Sequence, residues 1–100
     1  MIMNIDVSKN GTNLLMTVSG RIDPTTAPEF EKAVMENLDG ITDLVLDLKD
    51  VPYTSSAGLR TFLMAQKQMM KQGSMTLKNV QSSVLEVLKV TGYIKFLNVQ

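Results

Sequence analysis

The chain has 100 residues, 44% of them hydrophobic and 20% charged, which is room for one domain with a buried core and for no second one. Ten basic and ten acidic residues cancel, so no overall positive field exists to hold nucleic acid or an anionic lipid surface, and neither is expected as a partner. With no Cys and no His, disulfides, thiolate or imidazole metal sites and every Ser-His-Asp or Cys-His nucleophile are excluded, which leaves only carboxylate or Lys chemistry for an enzyme.

Met1-Ile2-Met3-Asn4-Ile5-Asp6 has no basic start followed by a long apolar run, and no stretch reaches transmembrane length. A cytoplasmic protein without direct membrane insertion is expected. Apolar and polar residues alternate from Ile2 to Val7, and after Lys9-Asn10-Gly11 the run Leu14, Met16, Val18 occupies one face, so two strands joined by an Asn-Gly hairpin are expected. Thr26 with Glu29 at the capping-box position and Pro28 in the first turn starts helix one, whose stripe Phe30, Ala33, Val34, Leu38 runs to the Asp39-Gly40 stop. Asp43-Leu44-Val45-Leu46-Asp47-Leu48 reads as a buried strand covered by helices. Helix two extends from Ala57 to about Gln72, with Leu59, Phe62, Leu63, Met69 and Met70 at helical spacing and Gly73 at its end. A strand from Met75 to Leu77 follows. Ser83-Val84-Leu85-Glu86 is a second capping box, opening helix three with Val84, Val87, Leu88 and Thr91 on one stripe up to Gly92, and a last strand is expected from Phe96 to Val99. Alternation of this kind demands a mixed, mostly parallel sheet joined by right-handed crossovers, in one small α/β domain spanning residues 1–100 with helices packed against the sheet.

Three consecutive hydroxyl residues, Thr54, Ser55 and Ser56, stand between the buried strand and helix two. The carboxyl end of a strand and the amino end of the next helix form the crevice where open α/β sheets present their sites, and the helix N–H groups there favour an anion. One N-cap needs one hydroxyl. The excess, together with Gly58 in the first helical turn, points to a recognition surface approached by another molecule. The segment is no P-loop, for it lacks the Gly-rich run and the Lys-Ser/Thr pair, and Gly-x-Ser-x-Gly is absent as well.

The block Thr54-Ser55-Ser56-Ala57-Gly58-Leu59-Arg60 resembles the STAS-domain family of anti-sigma factor antagonists, as do Leu46-Asp47-Leu48, Gly20-Arg21-Ile22-Asp23 and Val87-Leu88-Lys89-Val90-Thr91-Gly92. The resemblance implies that Ser56 is phosphorylated by a partner that is both anti-sigma factor and serine kinase. It implies further that the unphosphorylated form binds this partner and frees the sigma factor, and that a serine phosphatase reverses the modification. On this reading the protein is not an enzyme, has no catalytic residue, and needs neither cofactor nor metal; ATP and Mg²⁺ belong to the kinase. The best-known family pattern has Asp before the phosphorylated serine, where this chain has Ser55, so Ser55 and Thr54 stand as alternative acceptors.

The expected partner-binding residues are Asp23, Thr54, Ser55, Ser56, Gly58, Arg60 and Met64. Asp23 matches a family Asp near the acceptor, and its spacing before Pro24 also suits a turn or cap residue. Met64 shares a stripe with Arg60 and Gln68, whereas Met69 or Met70 falls in the core; Lys67 and Lys71 are solvated charges near the helix end. Two other readings compete: a non-phosphorylated STAS docking subunit of a transporter or signalling assembly, and a small enzyme using Asp23, Asp47 or Asp50 as acid or base.

Overall fold

Asn10 pairs with Asn13 across Gly11 and Thr12, which closes the hairpin announced by the Asn-Gly signal. In the computed structural model, which describes residues 3–100, strand β1 (Asn4–Asn10) runs antiparallel to β2 (Asn13–Ser19). Helix α1 (Ala27–Met35), β3 (Asp43–Asp50), α2 (Ser56–Met70), β4 (Ser74–Lys78) and α3 (Ser82–Thr91) follow. The four strands lie in the order β1-β2-β3-β4, with β2, β3 and β4 parallel. This is the mixed, mostly parallel sheet expected of the alternation. Ile2, the expected start of the first strand, lies outside the described residues, and β1 runs three residues beyond Val7.

Sequential strand order has a physical consequence. Right-handed crossovers that all step in one direction place their helices on one face of the sheet, so β3 is covered on one side rather than both. Leu14, Met16 and Val18 from β2, Leu44, Leu46 and Leu48 from β3, and Met75 and Leu77 from β4 are buried on the covered face. Phe30 and Val34 of α1, Phe62 and Met69 of α2, and Val84 and Leu88 of α3 complete the core. The Phe30 and Phe62 rings meet edge to face, 5.7 Å apart at 88°, a geometry that adds to their burial. The register puts Leu15, Thr17, Val45, Asp47, Thr76 and Lys78 on the opposite face, where Leu15 is 41% exposed. Without a reversal in strand order there is no switch-point crevice, so the end of β3 opens onto the rim of the domain.

Other expectations need correction. Neither proposed capping box forms: the Thr26 hydroxyl donates to the Arg21 carbonyl at 2.8 Å, and the Ser83 hydroxyl donates to the Pro52 carbonyl at 2.8 Å. Both hydroxyls therefore tie loops together instead of closing helix ends. Helix α1 stops at Met35, short of Leu38, where the Asn37 side-chain amide donates to the Ala33 carbonyl and competes with the helical pattern. Met69 is buried, but Met70 is 72% exposed. In place of a last strand the chain makes a short 3-10 turn (Tyr93–Phe96), leaving Phe96 61% exposed. Residues 98–100 then meet β4 in a single parallel bridge, with Leu77 N–H donating to the Asn98 carbonyl at 2.8 Å and Gln100 N–H to the Leu77 carbonyl at 2.9 Å. That bridge screens one sheet edge.

Candidate functional site

Beyond the ends of β2 and β3 the two segments stay together. Gly20 N–H donates to the Asp50 carbonyl at 3.0 Å, Ile22 N–H to the Tyr53 carbonyl at 3.0 Å, and Ser55 N–H to the Ile22 carbonyl at 2.7 Å. A parallel bridge between Ile22 and Thr54 results. It sets the loop holding Asp23 beside the turn that starts α2, so two segments distant in sequence share one rim.

The three hydroxyls separate by depth. Thr54 is 2% exposed and donates to the Ser55 carbonyl at 3.2 Å. Ser55 is 8% exposed and is the N-cap of α2, its extended backbone letting Oγ accept from Gly58 N–H at 3.4 Å. Ser56, the first residue of the helix, is exposed. Thr54 and Ser55 are therefore built into the fold, and only the Ser56 hydroxyl of the three lies open to another molecule.

Gly58 is also buried. A Cβ there would meet Thr54 Oγ1 and would lie 2.6 Å from Ile22 Cγ2, so the close approach that requires glycine is internal. Another molecule does not reach it. The first turn of α2 presses directly onto the Ile22–Thr54 bridge, which fixes where the Ser56 side chain emerges.

Asp23 serves its own turn. Its Oδ1 accepts from Thr25 Oγ1 at 2.6 Å, from Thr25 N–H at 2.9 Å and from Thr26 N–H at 3.0 Å. The Thr25 hydroxyl first, then the Thr26 amide, holds the carboxyl below the ordinary Asp range against an opposing effect of burial. Asp47 lies on the open face of the sheet. Burial raises its carboxyl, but the Asn79 side-chain amide, the Lys49 N–H and the charges of Lys49 and Lys78 together bring it below the ordinary value. A general acid or base for neutral pH needs the opposite shift. Asp50 is exposed, with its carbonyl accepting from Gly20.

Around Ser56, Arg60 is exposed and Met64 half-buried. Gln68, on the same stripe, is tied to Gln72, to which it donates at 2.8 Å. A groove of about 270 Å³ runs beside the serine between the starts of α1 and α2, lined by Pro24, Ala27, Pro28, Glu31, Ala57 and Arg60. On the far side Arg21 rests over the Tyr53 ring, its guanidinium 4.3 Å from the centroid. The groove and this pair are absent from the sequence reading. Arg21 and Tyr53 meet only through the parallel pairing beyond β2 and β3, which no local pattern announces.

Comparison with known proteins places the geometry in a family. Residues 4–100 match the STAS domain family. The chain is 32% identical over 93 residues to the anti-sigma-B factor antagonist of Bacillus subtilis (strain 168), covering 92% of this chain and 85% of that protein. An anti-sigma factor antagonist from Mycobacterium paratuberculosis superposes with a TM-score of 0.87 at 24% identity, over 98% of this chain and 85% of the other. The Bacillus cell fate determinant SpoIIAA in its phosphorylated form superposes with a TM-score of 0.74 at 11% identity, over 97% and 91%.

Two measurements check this architecture. Gly58→Ala removes a helix-weakening glycine, a change worth about 1 kcal/mol in an open helix, yet here the added methyl must displace buried Ile22 and Thr54. A net loss of about 1–2 kcal/mol in urea unfolding is expected, and equal or greater stability would contradict the packing. Asp23 is more acidic folded than unfolded, so its contribution is complete above the unfolded carboxylate range and disappears as pH falls through the folded value. Asp23→Ala should therefore melt at a lower temperature than the parent at pH 7, with the two melting temperatures converging as pH falls below 3.8.

Proposed function

The chain belongs to the STAS-domain family of anti-sigma factor antagonists, and from that premise we propose that it is a cytoplasmic binding module controlled by phosphate on Ser56. Unphosphorylated, it binds an anti-sigma factor that is also a serine kinase, and the sigma factor is set free. The kinase transfers the terminal phosphoryl group of its ATP to Ser56 Oγ, the hydroxyl proton is lost and ADP leaves. The modified form dissociates, and a serine phosphatase hydrolyses the ester to restore binding. No catalytic residue, cofactor or metal of this chain enters the cycle.

The carrying observation is the separation of the three hydroxyls: Thr54 and Ser55 are buried, and Ser56 alone is exposed at the start of a helix. Phosphate brings a charge of about −1.5 to −2 and three acceptor oxygens. The helix N-terminus tolerates that charge, whereas a closely packed or acidic partner surface does not. The switch therefore needs no rearrangement of this domain. Ser55 also bears on the departure from the best-known family pattern, because Ser and Asp are comparable N-caps. The helix start is preserved without the carboxylate, and what changes is the charge that the kinase meets.

The proposed contact surface is Ser56, Arg60 and the exposed side of Met64, with the Asp23 loop along its margin; Thr54, Ser55 and Gly58 shape it from beneath. No helix among the described residues is long and apolar enough to cross a membrane.

The test is binding to the anti-sigma factor of the same cell by variants at one position. Ser56→Ala should bind irrespective of ATP, while the parent protein should lose binding as the kinase modifies it. Ser56→Asp, a partial mimic, should bind more weakly than Ser56→Ala. Parent protein that stays bound in the presence of ATP, with no phosphate incorporated, would contradict the switch and favour a docking subunit whose serine turn is only a contact surface.

A further inference from the structure

Helix α2 contains no acidic residue, and its one cation near the amino end is Arg60, exposed and four residues after Ser56. Residues four apart lie on one helix face with Cβ atoms about 5–6 Å apart. Cα–Cβ bonds in a helix tilt toward its amino end, so the Arg60 side chain, which lines the groove beside Ala57, can reach the position of Ser56. An anion at the first position with a cation at the fifth is also the favourable order for such a pair. Before modification Ser56 is neutral, and Arg60 lines the groove with Glu31 of α1 across from it.

We infer that Arg60 is the internal counter-ion of a phosphorylated Ser56. The guanidinium pairs with the phosphate on the same helix face and is withdrawn from the surface offered to a partner. The inference rests on the reading of Ser56 as the acceptor and deepens it: phosphate acts both by adding charge and by removing an arginine from the contact surface. The other charged groups around the turn are engaged or opposed. Asp23 is bound within its own turn, Arg21 rests on the Tyr53 ring, and Glu31, the remaining acid of the groove, repels the phosphate and attracts Arg60, so it competes with the pairing. Guanidinium fits phosphate geometry in a two-pronged manner that an ammonium matches only as a point charge.

Protein carrying phosphoserine installed at position 56 through an expanded genetic code tests this by ³¹P NMR titration. The second phosphate ionisation, ordinarily near pH 6, should fall lower in the parent than in Arg60→Gln by about 0.2–0.4 of a pH unit. Arg60→Lys, which keeps the charge but not the fork, should recover only part of the difference. Arg60 is exposed, so the variants should keep the parent's amide spectrum. An identical titration in the parent and in folded Arg60→Gln would overturn the pairing while leaving the functional reading intact. Absence of phosphate on Ser56 in cells would defeat that reading while leaving the measured pairing in place.

Discussion

The site hangs on the short parallel pairing of residues 20–22 with residues 50–55. Its three backbone hydrogen bonds, from Gly20, Ile22 and Ser55, are individually worth about 0.5–1.5 kcal/mol net, but their geometric effect exceeds that sum. They hold Ile22, which is fully buried, under the first turn of α2, and Gly58 exists because nothing larger fits between them. The same pairing lays Arg21 on Tyr53 and brings the Asp23 turn alongside Ser56. Loss of this pairing would release the start of α2 and the entry to α1 together.

On this base, chemically similar residues do different work. Thr54 fills the space beneath the helix, Ser55 closes its amino end, and Ser56 faces out. A run of hydroxyls is thus converted into one addressable hydroxyl by backbone geometry alone. Since α2 begins at Ser56 and is anchored along Leu59, Phe62, Ala65 and Met69 in the core, the serine is presented on a rigid element. On the proposed function, a charge added there would be read by the partner docked on the rim without movement of the interior.

The sequence revealed the element order because its signals were local: the Asn-Gly turn, the aliphatic run of β3, the helical spacing of Phe62 and Met69, and the left-handed Gly92 that ends α3. Its errors arose where a local rule met a competing partner outside the helix. Thr26 and Ser83 carry good capping signatures, yet the Thr26 hydroxyl finds the Arg21 carbonyl earlier in the same loop and the Ser83 hydroxyl the Pro52 carbonyl of a distant one. Met70 fits the helical stripe almost as well as Met69, but its angular offset puts it outside the core. The serine block drew attention to this turn, whereas the groove beside it, the Arg21–Tyr53 pair and the division of the hydroxyls into buried and exposed left no local signal. That division depends on the Ile22–Thr54 bridge, formed between segments with no periodic relation.

Everything proposed for this domain requires that Ser56 be the one hydroxyl of its block that takes phosphate. Peptide mapping by mass spectrometry across residues 51–60 of protein isolated from its own cells, with a phosphatase-treated control, tests it most directly. Phosphate is expected on Ser56 alone, in a fraction that changes with growth condition. Phosphate on buried Ser55 or Thr54, or none under any condition, would contradict it.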